Sequence, residues 1–210
     1  KTATKITKQL HEKETESFDA TITRGTIIVP TVKVDFVEND TVAHLQLMRF
    51  GDTIDKQWDE AVDKILNRQA SLKGVVLDVR SNPGGYMQGA INLASEFISK
   101  GVVMKQVNYR GQEETYSVNR KGRLLEIPIV VLIDKGSASA SEILAGALRD
   151  HNRAKLVGTT SFGKGTIQQA EDIGGRGAGL HITTAKWLTP NGTWVKDEGL
   201  KPDVEVENVR

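Results

Sequence analysis

The sequence contains no cysteine, which excludes disulfides, thiolate metal sites and a cysteine nucleophile together. A cysteine-free chain also suits an oxidising compartment. An excess of one charge is missing too. With 28 Lys+Arg against 27 Asp+Glu, no global field argues for a nucleic-acid partner or a membrane surface. Long apolar runs are absent: the longest, Ile127 to Ile133 broken by Pro128, is far too short to span a bilayer. The opening KTATKITKQLHEKE lacks the apolar core of a signal peptide, so a targeting segment is not expected within this chain. Histidine is scarce, at four residues: His11, His44, His151 and His181. There is no internal repeat and no low-complexity linker. At 210 residues the chain can bury one sizeable core, as one large domain or two small ones.

What is present is an alternation of strand and helix patterns. Phe18 to Thr23 alternates like a strand, the tail of something larger or an added edge element. From Val32 the order becomes regular. Thr41 to Met48 reads as a strand, and Ile54 to Gln69 as a helix with Trp58, Val62, Ile65 and Leu66 on one face. Lys73 to Val79 and Ile127 to Ile133 are continuous apolar strands of the kind buried on both faces of a parallel sheet. Tyr86 to Ile98 has helical spacing, Lys155 to Val157 is a short strand, and Leu180 to Val195 is strand-rich. Strands alternating with crossover helices predict an α/β fold around a mainly parallel sheet.

The stretch KGSASASEILAGALRD, Lys135 to Asp150, places Ser137, Ser139 and Ser141 ahead of a helix. Ser139 and Glu142 have capping-box spacing, which by itself only starts the helix. The same helix mouth leaves N–H groups unpaired beyond the carboxyl end of a buried strand, where an oxyanion can be stabilised. Ser139 is the best placed of the three. A serine nucleophile needs a base. His151 lies at the far end of the same helix, roughly 18 Å away at about 1.5 Å per residue. His44 and His181 sit in strand patterns, where a structural histidine is the commoner case, and His11 lies in the polar N-terminal segment. In SFGKGT, Lys164 stands between two glycines after a short strand. A solvated turn lysine is the plain reading, and a phosphate loop is disfavoured because Gly165 replaces the required hydroxyl residue. A lysine acting as base must be uncharged, which desolvation favours. Gln168 lies one helical turn or two strand steps beyond it.

Four stretches together resemble the C-terminal processing peptidases, the tail-specific serine proteases with a serine–lysine dyad. They are LDVRSNPGG at 77–85, GSASASEILAGALRD at 136–150, VGTTSFGKGTIQQ at 157–169 and ITTAKWLTPNGTWVKDEGLKPDVEV at 182–206, in the family's order. The resemblance implies an α/β core of the crotonase/Clp-protease type, with strand-rich N- and C-terminal segments. It implies Ser139 as nucleophile, Lys164 as general base and Gln168 orienting the lysine. The oxyanion hole is expected from the backbone N–H of Ala140 and one from the Pro83-Gly84-Gly85 turn, namely Gly84. Asp78, Arg80 and Glu142 are expected to support the site, with no metal and no cofactor. Residues 1–30 are expected to be the junction or remnant of a PDZ domain, and 31–210 the protease core. The expected partners are polypeptide C-termini and, in the full-length protein, the PDZ domain, with no nucleic acid. An extracytoplasmic or organelle-lumen location follows from the resemblance alone. Besides a structural domain whose serine merely caps a helix, which the four-stretch match disfavours, two rivals stand beside it. One is a non-catalytic ligand-binding module of the same fold. The other is a crotonase-like acyl-CoA enzyme, for which neither an acidic base nor a nucleotide-binding patch is found.

Overall fold

A computed structural model of the chain describes Thr2–Thr7 and Ser17–Ile22 at the level of the backbone, and residues 29–175 and 178–207 in full. Strands β1 (Thr2–Thr7) and β2 (Ser17–Ile22) form an antiparallel pair, which among the described residues joins neither of the two larger sheets. The first of those begins with β3 (Val32–Val37) and β4 (Val42–Leu47), an antiparallel hairpin. Helix α1 (Ile54–Leu66) follows, burying Trp58, Ala61, Val62 and Ile65 as the apolar spacing predicts. It stops three residues before the predicted Gln69, where a single 3-10 turn, Gln69–Ser71, leads into the sheet.

Strand β5 (Gly74–Asp78) pairs in parallel with β4, and α2 (Met87–Phe97) returns across the sheet. A second hairpin, β6 (Val102–Asn108) and β7 (Glu113–Ser117), is not anticipated by the sequence reading. Strand β6 buries only Val103 and Met104, and β7 is polar and mostly exposed, so neither carries the continuous apolar run that marks a central strand. Strand β8 (Ile129–Ile133), helix α3 (Ala140–Asp150) and β9 (Lys155–Gly158) complete the parallel core. Strands β10 (Thr166–Ile173) and β11 (Ala178–Leu188) form a long hairpin, and β12 (Val204–Glu205) closes the edge beside β9. The predicted strand-rich stretch to Val195 ends at Leu188, because Pro190 lies in a turn closed by Thr189 N–H to Thr193 O at 2.9 Å.

Two sheets result. One has six strands in the order β12-β9-β8-β5-β4-β3, parallel except at β3, and the other has four in the order β10-β11-β6-β7. Helix α1 packs along β3, α2 packs on α3, and α3 reaches β6 of the smaller sheet. Leu77, Val131 and Ile133 in the central strands are completely buried, as are Leu144 and Leu148 on α3. Trp58 meets Phe97 edge-on, with ring centroids 5.8 Å apart, joining α1 to α2. Adjacent β5 and β8 therefore end side by side, and their following turns meet at the mouth of α3.

Candidate active site

The turn after β5 and the turn after β8 are welded together by side chains of small polar residues. Ser137 Oγ donates to Val79 O at 2.7 Å and accepts the Asp134 N–H at 3.0 Å. Asp134 Oδ1 accepts the N–H groups of Ser81 (2.7 Å) and Gly136 (2.9 Å). Asn82 O accepts the Ala138 N–H at 3.0 Å and the Ser141 hydroxyl at 2.8 Å. Ser137 and Ser141 are thus fully buried and committed to the turn, each with its hydroxyl used. Ser139 differs: it lines an open cavity, at the N-cap of α3, with φ of 56°. A positive φ at a non-glycine residue costs on the order of 1–3 kcal/mol and persists only where the surroundings dictate it.

Glu142 supplies much of that constraint. Its carboxylate is completely buried and accepts four hydrogen bonds. Oε2 accepts the N–H groups of Ser139 (2.8 Å) and Lys164 (2.9 Å), while Oε1 accepts the Ser161 hydroxyl (2.6 Å) and the Gly163 N–H (2.7 Å). The predicted reach of Glu142 back to the N-cap is present. The same side chain also fastens the lysine loop to the serine turn, which the capping-box reading does not foresee. Ser161 extends the link, accepting the Leu200 N–H at 2.7 Å.

Ser139, Lys164, Gln168 and Gly84 all line one cavity of about 460 Å³, together with Arg49, Met87, Ile143, Ile167, His181 and Trp187. Gln168 reaches it from β10, at a register irregularity between Ile167 and Gln168, the kind of bulge that re-aims a side chain. Gly84 has φ of 92°, and a Cβ there would lie 2.6 Å from Ala138 O, 2.8 Å from Ser139 Cβ and 2.9 Å from the Ala140 N, so only glycine lets the two turns approach this closely. Ala140 is the first helical residue, and its N–H has no intrahelical acceptor. The Gly84 N–H expected as the second donor is engaged within its own turn. Gly84 N–H donates to Asn82 Oδ1 at 2.9 Å, and Asn82, fully buried, is itself fixed by its Nδ2 donating to Leu47 O at 2.7 Å. Gly85 N–H has no such acceptor among the described residues.

Asp78 and Arg80 do not line the cavity; they pair with each other behind it. Asp78 accepts Arg80 Nε–H at 2.9 Å and Nη2–H at 2.7 Å, and contacts His44 Nε2 at 3.0 Å. Burial would raise the Asp78 pKa, but the bonds from Arg80 and His44 outweigh it and hold the carboxyl below its ordinary value. The carboxylate partner of His44, missed in the sequence, comes from the neighbouring parallel strand. His151 caps the C-terminus of α3 and contacts Val102 O at 2.7 Å, a structural role. His181, set aside as a strand histidine, does share the cavity with Ser139. His11 lies outside the described residues. Among the described residues, no group of three or more His, Asp or Glu side chains is placed to hold a metal ion.

The sequence model of Peptidase family S41 matches residues 41–206, a span that includes every one of these cavity residues. The chain belongs to that family. It is 38% identical over 207 residues to the carboxy-terminal processing protease CtpA of Bacillus subtilis (strain 168), covering 99% of this chain and 44% of the relative. It is 35% identical over 208 residues to the carboxyl-terminal-processing protease of Synechocystis sp. (strain ATCC 27184 / PCC 6803 / Kazusa), covering 97% of this chain and 48% of that one. Among solved structures, a photosystem II D1 C-terminal processing protease superposes with a TM-score of 0.76 at 29% identity, over 92% of this chain and 52% of the other. The chain therefore spans about half the length of these relatives. The α/β architecture and the S41 fold agree.

Proposed function

We propose that this chain is the catalytic core of a serine endopeptidase that cuts polypeptides near their C-terminus. Ser139 is the nucleophile and Lys164, as general base, takes its proton as Ser139 attacks the scissile carbonyl. Gln168 orients the lysine. The tetrahedral oxyanion rests on the Ala140 N–H and on an N–H of the Gly84–Gly85 turn, worth about 3 kcal/mol of transition-state stabilisation per donor. Among the described residues no acceptor meets the Gly85 N–H, whereas Gly84 must first part from Asn82 Oδ1. Collapse of the intermediate breaks the C–N bond, with Lys164 returning the proton to the leaving amine. Water then hydrolyses the acyl-enzyme by the same base. Asp78, Arg80 and Glu142 support the turns without touching the reacting atoms. In the full-length protein, outside the cytoplasm, a PDZ domain delivers the substrate's C-terminus.

The observation that carries this reading is the Glu142 carboxylate, which fixes the backbone N–H of both Ser139 and Lys164 while both residues line one cavity. A helix cap with no chemistry to serve needs neither the second bond nor the strained serine. The rival ligand-binding module is separated by an active-site-directed serine reagent. Modification of Ser139, located by peptide mass mapping and lost in Ser139→Ala, is expected. No modification, or modification of another serine, overturns the proposal.

A further inference from the structure

Nearly every main-chain polar group around Lys164 is engaged. The N–H groups of Gly163 and Lys164 meet Glu142, and Gly163 O accepts the Asp197 N–H at 3.0 Å. The next two carbonyls are each met by an indole. Trp187 Nε1–H donates to Lys164 O at 2.9 Å, and Trp194 Nε1–H donates to Gly165 O at 2.8 Å. Gly165 O also accepts the Trp187 backbone N–H at 3.2 Å. The two rings arrive from different places. Trp187, 1% exposed, is on β11 and lines the cavity, whereas Trp194, 42% exposed, follows the Thr189–Thr193 turn. Lys186 and Lys196 place Nζ 5.2 and 5.4 Å from the centroid of the Trp194 ring and help to hold its plane.

The flanking glycines are explained by the same packing. A Cβ at Gly165 would lie 2.6 Å from Trp194 Nε1 and 2.8 Å from the Lys196 N. At Gly163, with φ of 87°, it would lie 2.9 Å from the Asp197 N. Gly165 is thus required by the Trp194 indole contact, and Gly163 by the close approach of the 195–199 main chain.

We infer that Trp187 and Trp194 are positioning residues for the general base, holding its main chain by the carbonyl side while Glu142 holds the amide side. This rests on the assignment of Lys164 as base. A lysine ammonium or amine sits on a flexible four-carbon stem, so the place of Nζ depends on how firmly the backbone beneath it is fixed. Misplacement of a reacting group by about 1 Å can cost on the order of 100-fold in rate.

The test uses Trp187→Phe and Trp194→Phe, singly and together, which keep an aromatic ring and delete the N–H donor. Trp194→Phe is the gentler probe of folding because its ring is partly exposed. Each single variant is expected to lower kcat on an unstructured peptide by roughly tenfold, with KM changed by less than about twofold, the loss of one hydrogen bond read in the transition state. Backbone amide exchange at Lys164 and Gly165 rises in parallel. Gly165→Ala, which displaces the Trp194 ring, lowers kcat similarly, and its effect is not additive with that of Trp194→Phe. A double Phe variant with unchanged kcat and unchanged exchange overturns the inference, and so does a loss confined to KM. If the unsubstituted protein cleaves nothing while exchange still rises in the variants, the anchoring stands and the assignment of Lys164 as base falls.

Discussion

Glu96 on α2 and Glu142 on α3 are both completely buried, on helices that pack against each other, and they are held in opposite ways. Glu96 is held by cations. It accepts Arg120 Nη2–H at 2.8 Å, Arg123 Nε–H at 3.0 Å and Nη2–H at 3.0 Å, the Arg123 N–H at 2.7 Å and the Trp58 indole at 3.1 Å. Glu142 is held by three main-chain N–H groups and one hydroxyl, with no cation among its hydrogen-bond or salt-bridge partners in the described residues. Cationic partners on long side chains tolerate small shifts of the groups they join. Amides do not, since each is rigidly part of a turn. The first arrangement suits a staple between α1, α2 and the 120–123 segment; the second suits the fixing of the turn before α3 to the 161–164 loop. Burial alone does not distinguish the two glutamates. The partners do.

The comparison is broken most sharply by Glu142→Gln. The amide keeps one acceptor oxygen but turns an NH2 group toward N–H donors, so kcat is expected to fall on the order of 100-fold through misplacement of Ser139 and Lys164. Steady-state kinetics beside a thermal melt checks this, and a stability loss with kcat preserved would reduce Glu142 to a helix cap. Glu96→Gln should do the reverse. It loses charge-assisted bonds from two arginines that remain about one-third exposed, 33% and 32%, and so keep some hydration. Stability is expected to drop by about 2 kcal/mol in chemical denaturation, with kcat within about twofold of the parent.

The same glutamate predicts a pH effect. Burial would raise the Glu96 pKa, but the bonds from Arg123, the charge of Arg120 and the Trp58 indole prevail and hold it below the ordinary value. The folded protein therefore binds this proton more weakly than the unfolded chain. The resulting stability is present above the ordinary glutamate value near 4.3 and is lost as pH falls from there through the folded value. Denaturation midpoints measured between about pH 6 and pH 3 should fall less steeply in Glu96→Gln than in the parent. The smallest effect is expected at His181. It lines the cavity but has no assigned part in the proton transfer, so His181→Ala should retain activity within about threefold, in the range of a lost binding contact. A collapse of kcat there would move the base from Lys164 to His181.

Much of this was legible in sequence because it depends on short-range pattern. The apolar runs around Leu77 and Val131 mark the buried parallel strands, and the serine-rich start of α3 follows directly from them. The choice among three serines was legible only in part. Ser139 stands out by position, but the commitment of Ser137 to Val79 O and of Ser141 to Asn82 O depends on partners 58 and 59 residues away. Glu142 reads as a capping residue because its N-cap partner is three positions back, whereas its other donors lie 19, 21 and 22 positions ahead. The engagement of Gly84 by Asn82 was invisible because Asn-Pro-Gly-Gly predicts a turn without saying which N–H the asparagine takes. The β6–β7 hairpin escaped for the opposite reason, since β6 has adjacent buried residues, Val103 and Met104, rather than alternation, and β7 is mostly exposed.

The most direct measurement of the central claim is turnover of an unstructured peptide by the parent, Ser139→Ala and Lys164→Ala proteins, with circular dichroism and a thermal melt on each. The account predicts cleavage near the peptide's C-terminus by the parent alone, with both variants folded as the parent is and without detectable activity. Undiminished cleavage by a folded Lys164→Ala protein would contradict it.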